Sequence, residues 1–157
     1  MSDADPALNL NCSTQHEAGH GTSAASPPPI PHEETLKSVI AAFFFVYDRL
    51  GPRFLENVYA GALAIELRKR GHKVAREVSV PVFYEGTQIA RYTMDFVVDD
   101  VVVLELKSTE TVGVGDRRQL VNYLRCTNFD VGLLLHFGPR PRFHRFYIPQ
   151  SNHRPRG

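Results

Sequence analysis

The run Val101-Val102-Val103-Leu104-Glu105-Leu106-Lys107 constrains this chain more than any other stretch. Its β-branched, almost continuously apolar character predicts a buried strand. The run ends with a carboxylate and an ammonium two residues apart, ten residues after a second acid at Asp95. Desolvating an ionised carboxylate is costly unless a metal, a proton or an opposite charge compensates. Acids in such a strand therefore mark either an ion-pair lock or a site.

Alternation along a strand points Glu105 and Lys107 the same way as Val103 and opposite to Leu104 and Leu106. Whether Asp95 joins them depends on the turn. A two-residue turn at Asp99-Asp100 would oppose Asp95 to Leu104 and send the two acids to opposite faces. A three-residue turn, Asp99 to Val101, opposes Asp95 to Glu105, with about 5 Å between β-carbons. A shared site requires the longer turn or a bulge. Two ionised carboxylates that close repel by roughly 3 kcal/mol at an effective dielectric near 20, and Lys107 offsets only part of that. A divalent cation resolves the imbalance. Magnesium, or manganese in its place, prefers oxygen ligands and needs only one or two carboxylates, which fits Asp95, Glu105 and the Leu106 carbonyl. The competing reading is a salt-bridge cluster of Asp95, Lys107 and Glu105 that only fastens the sheet. Glu56, an acid on an otherwise apolar helical face, and Gln119, an amide early in a later helix, are weaker candidates. Each has a plain structural alternative, a salt bridge for the first and a cap or loop contact for the second.

Along the chain, residues 1–31 mix Ser, Ala, Gly, Asn and Pro and end in Pro27-Pro28-Pro29-Ile30-Pro31, which reads as a flexible leader with a stiff stop. A single domain is expected over 32–149, with a basic tail at 150–157. Leu36, Val39, Ile40, Phe43, Tyr47 and Leu50 recur at helical spacing until Gly51-Pro52. A second helix is expected from about Phe54, with Glu56, Tyr59, Ala60, Leu63 and Leu67 on one face and Gly71 as a left-handed stop. The period then changes to two: strands from Val74 to Val82, Gln88 to Val98 and Val101 to Lys107, with a turn at Glu85-Gly86-Thr87. A helix from Asp116 to Cys126, presenting Gln119, Asn122, Tyr123 and Cys126 on one side, and strands at Asp130–Phe137 and His144–Ile148 complete the order. Helix, helix, three strands, helix, two strands predicts an α+β fold, a mixed sheet of four to five strands flanked by helices.

Composition excludes several classes. The 43% hydrophobic content and 157 residues allow one substantial core. Cys12 and Cys126 support neither a disulfide framework nor a cysteine zinc site. No apolar run reaches the roughly 18 residues of a membrane span, and no basic and apolar leader marks secretion, so a cytoplasmic setting is expected and a membrane partner is not. The formal charge of +1 conceals a polarity: no Lys or Arg precedes Lys37 and no Asp or Glu follows Asp130. Arg140, Arg142, Arg145, Arg154 and Arg156 could contact phosphates, although an Arg-rich end is more often a solvated surface.

The stretch Gly51-Pro52-Arg53-Phe54-Leu55-Glu56-Asn57-Val58-Tyr59 resembles the signature of the GxxExxY family. Ala62-Leu63, Glu66-Leu67, Tyr92-Thr93-Met94-Asp95-Phe96, Glu105-Leu106-Lys107 and Gln119-Leu120-Val121-Asn122-Tyr123-Leu124 follow in that family's order, so the likeness spans about Glu34 to Tyr147. The family is a branch of the PD-(D/E)XK nuclease-like superfamily. The resemblance implies a restriction-endonuclease-like core and phosphodiester hydrolysis, with DNA as the expected substrate. It implies magnesium held by Asp95 and Glu105, with Lys107 orienting or activating the attacking water. Glu56 would be an outer or additional ligand, and Gln119 would position the lysine or the water. The chain departs from the family's pattern at Tyr47 and Asp116, where the family has histidines, and at Arg53, where it has a small residue.

Other readings compete. His16-Glu17-Ala18-Gly19-His20 matches HExxH, but Gly19 and Gly21 interrupt any helix there and no third zinc ligand is evident. Tyr84, Tyr92 and Phe143 could stack bases, though aromatic residues at strand spacing are more often core. The non-enzymatic alternative is a nuclease-like fold kept as a nucleic-acid-binding or protein-interaction module. The sequence carries no mark of oligomeric state, and a homodimer is compatible with it.

Overall fold

The computed structural model describes residues 29–149. The HExxH stretch, Cys12, Arg154 and Arg156 lie outside them. Helix α1 spans Glu33–Leu50 and α2 Glu56–Lys69. Strands β1 (Val74–Tyr84), β2 (Thr87–Val98) and β3 (Val102–Lys107) follow, then α3 (Val114–Cys126), β4 (Val131–His136) and β5 (Arg142–Tyr147). The order matches the sequence pattern, with boundaries displaced by a few residues. One five-stranded sheet runs β1-β2-β3-β4-β5, antiparallel throughout except for the parallel β3–β4 pair. That parallel step needs a crossover, which α3 supplies.

Both faces of the sheet are covered. On one side Leu36, Val39 and Phe43 of α1 and Tyr59, Leu63 and Leu67 of α2 pack on Leu104, Leu106, Leu133 and Leu135. On the other, Leu120, Tyr123 and Leu124 of α3 pack on Val97, Val103 and Leu134. β3 has a strand on each edge and a helical layer on each face, which is why five of its six residues are buried. The buried residues of α3 are Leu120, Val121, Tyr123 and Leu124; of the side expected to carry Gln119, Asn122, Tyr123 and Cys126 together, Tyr123 is buried and Asn122 exposed.

The turn between β2 and β3 has three residues. Asp99 and Asp100 adopt left-handed backbone (φ 53° and 58°), and the Val101 N–H donates to the Val98 carbonyl at 3.0 Å. Tertiary bonds hold this turn. Asp99 Oδ1 accepts the Lys73 N–H at 2.9 Å, and Asp99 Oδ2 lies 2.7 Å from His72 Nδ1, whose Nε2 is 2.7 Å from Ser38 Oγ on α1. This Ser-His-Asp chain staples α1 to the hairpin. Ser38 sits inside a helix, where backbone N–H groups are spent on the helix itself, so nothing about the arrangement supplies an oxyanion site.

Candidate active site

The three-residue turn sets the register on which the site depends. Val98 pairs with Val102, Val97 with Val103 and Phe96 with Leu104. One step further Asp95 lies across from Glu105, but no ladder pair forms there. Instead Asp95 Oδ2 accepts the Leu106 N–H at 2.8 Å, so a side chain replaces the strand partner and β2 and β3 part. The N–H and C=O of one strand residue lie on the same edge, so the Leu106 carbonyl faces this gap too.

The ladder on the other edge of β2 breaks at the same level. Arg76 pairs with Phe96 and Val78 with Met94, whereas Glu77, which stands across from Asp95, is skipped and has φ 52°. A left-handed glutamate inside a strand costs about 1–2 kcal/mol. The result is a cleft of about 150 Å³ lined by Glu56, Asn57 and Ala60 of α2, Arg76 and Glu77 of β1, Asp95 and Phe96 of β2, and Leu106.

Glu56 reaches the cleft because of the residues around it. Tyr59, 0% exposed, donates its hydroxyl to the Gly51 carbonyl at 2.6 Å and accepts the Phe54 N–H at 3.2 Å, while its ring stacks on Phe137. That brace fixes the loop from Gly51 to Phe54 and starts α2 at Glu56, which gives the spacing Gly51, Glu56, Tyr59 a mechanical reason. Tyr59→Phe removes both part-buried bonds and leaves the Gly51 carbonyl and the Phe54 N–H without that partner. We expect a loss of about 1–2 kcal/mol in urea unfolding, and an unchanged midpoint would show that the brace is dispensable.

The charges form one coupled group. Lys107 Nζ donates to Glu105 Oε1 at 2.6 Å, and the Asp116 carboxylate stands 4.0 Å from the same ammonium. Burial pushes the Glu105 carboxyl up to about 7, with the Asp95 charge and then Glu56 adding to the rise against Lys107. Burial also raises Asp95, opposed by the Leu106 N–H, Lys107 and Arg76. Glu56 is raised by burial, with Lys107 and the Ser108 N–H opposing. For Lys107 burial acts downward, but Glu105, Glu56 and Asp95 outweigh it, so the ammonium stays protonated.

Asp95, Glu105, Lys107 and Glu56 form one electrostatically coupled group, although neither Glu105 nor Lys107 lines the cleft. Gln119 is placed differently. Its amide donates to the Tyr123 hydroxyl, which in turn donates to the Thr93 carbonyl at 2.8 Å, so it acts on the β2 backbone and not on Lys107. Sequence reasoning gave no site role to Arg76, Glu77, Asp116 or Tyr123. Only Asp116 carried a signal: an acid three residues after Gly113, whose N–H it accepts at 2.8 Å, is a helix-start pattern.

The donor set suits a hard divalent cation. Glu105 is 1% exposed and its Oε2 has no hydrogen-bond partner, an orphan oxygen that a cation would satisfy. Among the described residues no three His, Cys, Asp or Glu side chains make a ready-made cage. Magnesium does not need one, since it uses one or two carboxylates and completes its shell with water and phosphate.

The sequence model of the PD-(D/E)XK nuclease superfamily matches residues 33–146, from the start of α1 into the last strand. This chain belongs to that superfamily. Nucleases of this superfamily are in general divalent-metal-dependent and act on nucleic acids. No curated protein matches the chain. Among solved structures it resembles SSO0001, with a TM-score of 0.50 at 17% identity over 75% of this chain; it spans 60% of that protein's length. That likeness concerns the fold. No helix among the described residues is long and apolar enough to cross a membrane.

Proposed function

We propose that the chain is a metal-dependent nuclease of the GxxExxY type that hydrolyses phosphodiester bonds in DNA. The observation that carries this reading is the buried, unpartnered Oε2 of Glu105 beside Asp95, at the one level where both neighbouring ladders are interrupted. A sheet lock would close its ladders and pair its charges.

Asp95, Glu105 and the Leu106 carbonyl would hold magnesium, with Glu56 as a further ligand. Bound there, the cation would supply Lewis acidity toward a phosphoryl oxygen and make coordinated water more acidic. The rest falls to the protein. Lys107, kept charged by Glu105, Glu56 and Asp95, suits the support of negative charge on the reacting phosphate better than proton removal. Asp116, close to Lys107, and the Ser108 N–H on Glu56 limit where these side chains can swing. Gln119 and Tyr123 hold the Thr93 carbonyl and so steady β2 two residues before Asp95.

One observation favours the non-catalytic module: the 2.6 Å Lys107–Glu105 ion pair would equally fasten β3 without chemistry. A plasmid-nicking assay separates the two. Wild type should nick in magnesium and stop in EDTA, and Lys107→Ala should lose at least about 100-fold in rate while retaining a cooperative thermal transition. Nicking by a folded Lys107→Ala at the wild-type rate would remove the lysine from the mechanism. Binding without cutting in any divalent ion would favour the module.

A further inference from the structure

Buried polar residues need an explanation, and three stand among the described residues: Glu105, Thr127 and His136. Glu105 belongs to the site, and the Thr127 hydroxyl donates to the Tyr123 carbonyl at 2.8 Å at the end of α3. His136 is left over. It closes β4, whose other residues are apolar or glycine, and it is 5% exposed. Its place in the sheet is beside Lys107, in a row that runs from Lys107 through His136 to Arg142 of β5. Alternation puts Lys107 and His136 on one face, the side on which Val103 and Leu134 pack under α3. A leucine would fill such a position without a polar atom to satisfy.

The bond that satisfies the histidine falls on the chain just past Lys107. Nε2 lies 2.6 Å from the Thr109 carbonyl oxygen, and opposite a carbonyl that nitrogen carries the proton and donates. The Phe137 N–H, one residue on, donates to the Lys107 carbonyl at 2.7 Å. Thr109 Oγ1 in turn donates to the Thr111 carbonyl at 2.8 Å, which tightens the first half of the loop toward α3. These bonds matter because β3 has lost its other neighbour here. Its ladder with β2 ends at the Phe96–Leu104 pair, and beyond that level the Asp95 carboxylate on the Leu106 N–H takes the place of a strand. Toward β4 the ladder continues through Glu105, Leu106 and Lys107. The opening beside Asp95 thus removes support from these three residues, and β4 with its terminal histidine restores it.

We propose that His136 is a positioning residue for the reaction. By fixing Thr109 it keeps the end of β3 from fraying, so that the Lys107 ammonium stays on Glu105 and the Leu106 carbonyl stays turned toward the gap. The inference rests on the nuclease reading for its chemistry and adds to it a residue that touches neither metal nor substrate. It also gives Gly138 a reason, since a β-carbon there would stand 2.3 Å from His136 Nε2 and the chain leaving β4 must pass close over the ring.

The test compares His136→Leu, which fills the space without a donor, with His136→Gln, whose amide nitrogen can stand where Nε2 stands. Acetylation of individual lysines by an N-hydroxysuccinimide ester, read by peptide mass spectrometry in EDTA and well below each melting temperature, reports on Lys107 directly. In His136→Leu, labelling of Lys107 relative to the exposed Lys37 and Lys73 should quicken on the order of 10-fold, as loss of one bond allows. His136→Gln should label as wild type does. In saturating magnesium, plasmid nicking by His136→Leu should fall about 10- to 100-fold in kcat with KM nearly unchanged, and His136→Gln should recover it. Wild-type labelling of Lys107 in His136→Leu, labelling equally fast in both variants, or a wild-type kcat in His136→Leu overturns the proposal. The nuclease reading fails separately. If wild type cuts in no divalent ion while labelling follows the expected order, the enzyme is lost and the anchoring of Lys107 by His136 stands.

Discussion

Glu105→Gln is expected to abolish metal-dependent cutting and, at the same time, to stabilise the metal-free protein above pH 7. Burial raises the folded-state pKa of this carboxyl from 4.5 to about 7, so the folded protein binds a proton more tightly than the unfolded chain does. By linkage, the favourable contribution is fully present below about 4.5, declines as pH rises toward 7, and is gone above it. The window spans somewhat over two pH units, which at 1.36 kcal/mol per unit amounts to up to about 3 kcal/mol. Glutamine carries no charge to desolvate and loses most of that slope, less whatever the Lys107 bond contributed. Urea unfolding at pH 5 and pH 8 without divalent ion measures this directly. A wild-type stability that does not fall between those values would mean that Glu105 is not held in a cation-deficient setting. Magnesium should restore wild-type stability at pH 8 by binding the folded state alone, and should do little for the variant.

Gly138→Ala is the second large effect, and it is structural. A β-carbon there would stand 2.3 Å from His136 Nε2 and 2.9 Å from the Thr109 carbonyl oxygen, far inside contact distance. The ring is buried and bonded to that same carbonyl, so it has no free volume to move into. Overpacking of this kind costs about 3 kcal/mol, and the melting temperature should fall by roughly 10 °C. The damage should reach the site, because the displaced loop carries Ser108, whose N–H bonds Glu56, and because the Gly138 carbonyl accepts the Tyr47 hydroxyl at 3.0 Å. Reduced cutting well below the melting temperature is therefore expected as well. A variant that melts within a degree or two of wild type would show that the loop rearranges without cost. By contrast, Gly132 faces only the flexible end of Leu120, so alanine there should be milder.

Much of the site was legible because strands obey a simple parity. Once Glu105 and Lys107 are placed in a strand, their shared side follows, and the requirement that Asp95 join them selects a three-residue turn, which the structure has. The Gly51, Glu56, Tyr59 spacing was visible as a pattern, but its reason, a tyrosine hydroxyl bracing a loop, needed coordinates. Gln119, expected to position Lys107 or the attacking water, is bonded to Tyr123, one helical turn on, since partners four residues apart on a helix compete directly with distant ones. Glu77 gave no signal, and Arg76 only that of a salt-bridge partner for Glu56. Their alternation reads as ordinary strand, and only the break in pairing opposite Asp95 reveals them.

The sequence by itself determined the order of elements and the mixed sheet flanked by helices, and marked the acid-acid-lysine set as the candidate, because apolar periodicity and side-chain alternation are local properties of the chain. The tertiary structure alone decided that both ladders open at Asp95, that Asp116 approaches Lys107, and that Arg142 lies in the row of Lys107. Those facts depend on which strands become neighbours across a crossover and on where backbone bonds yield to side chains, and neither is encoded within one stretch of residues.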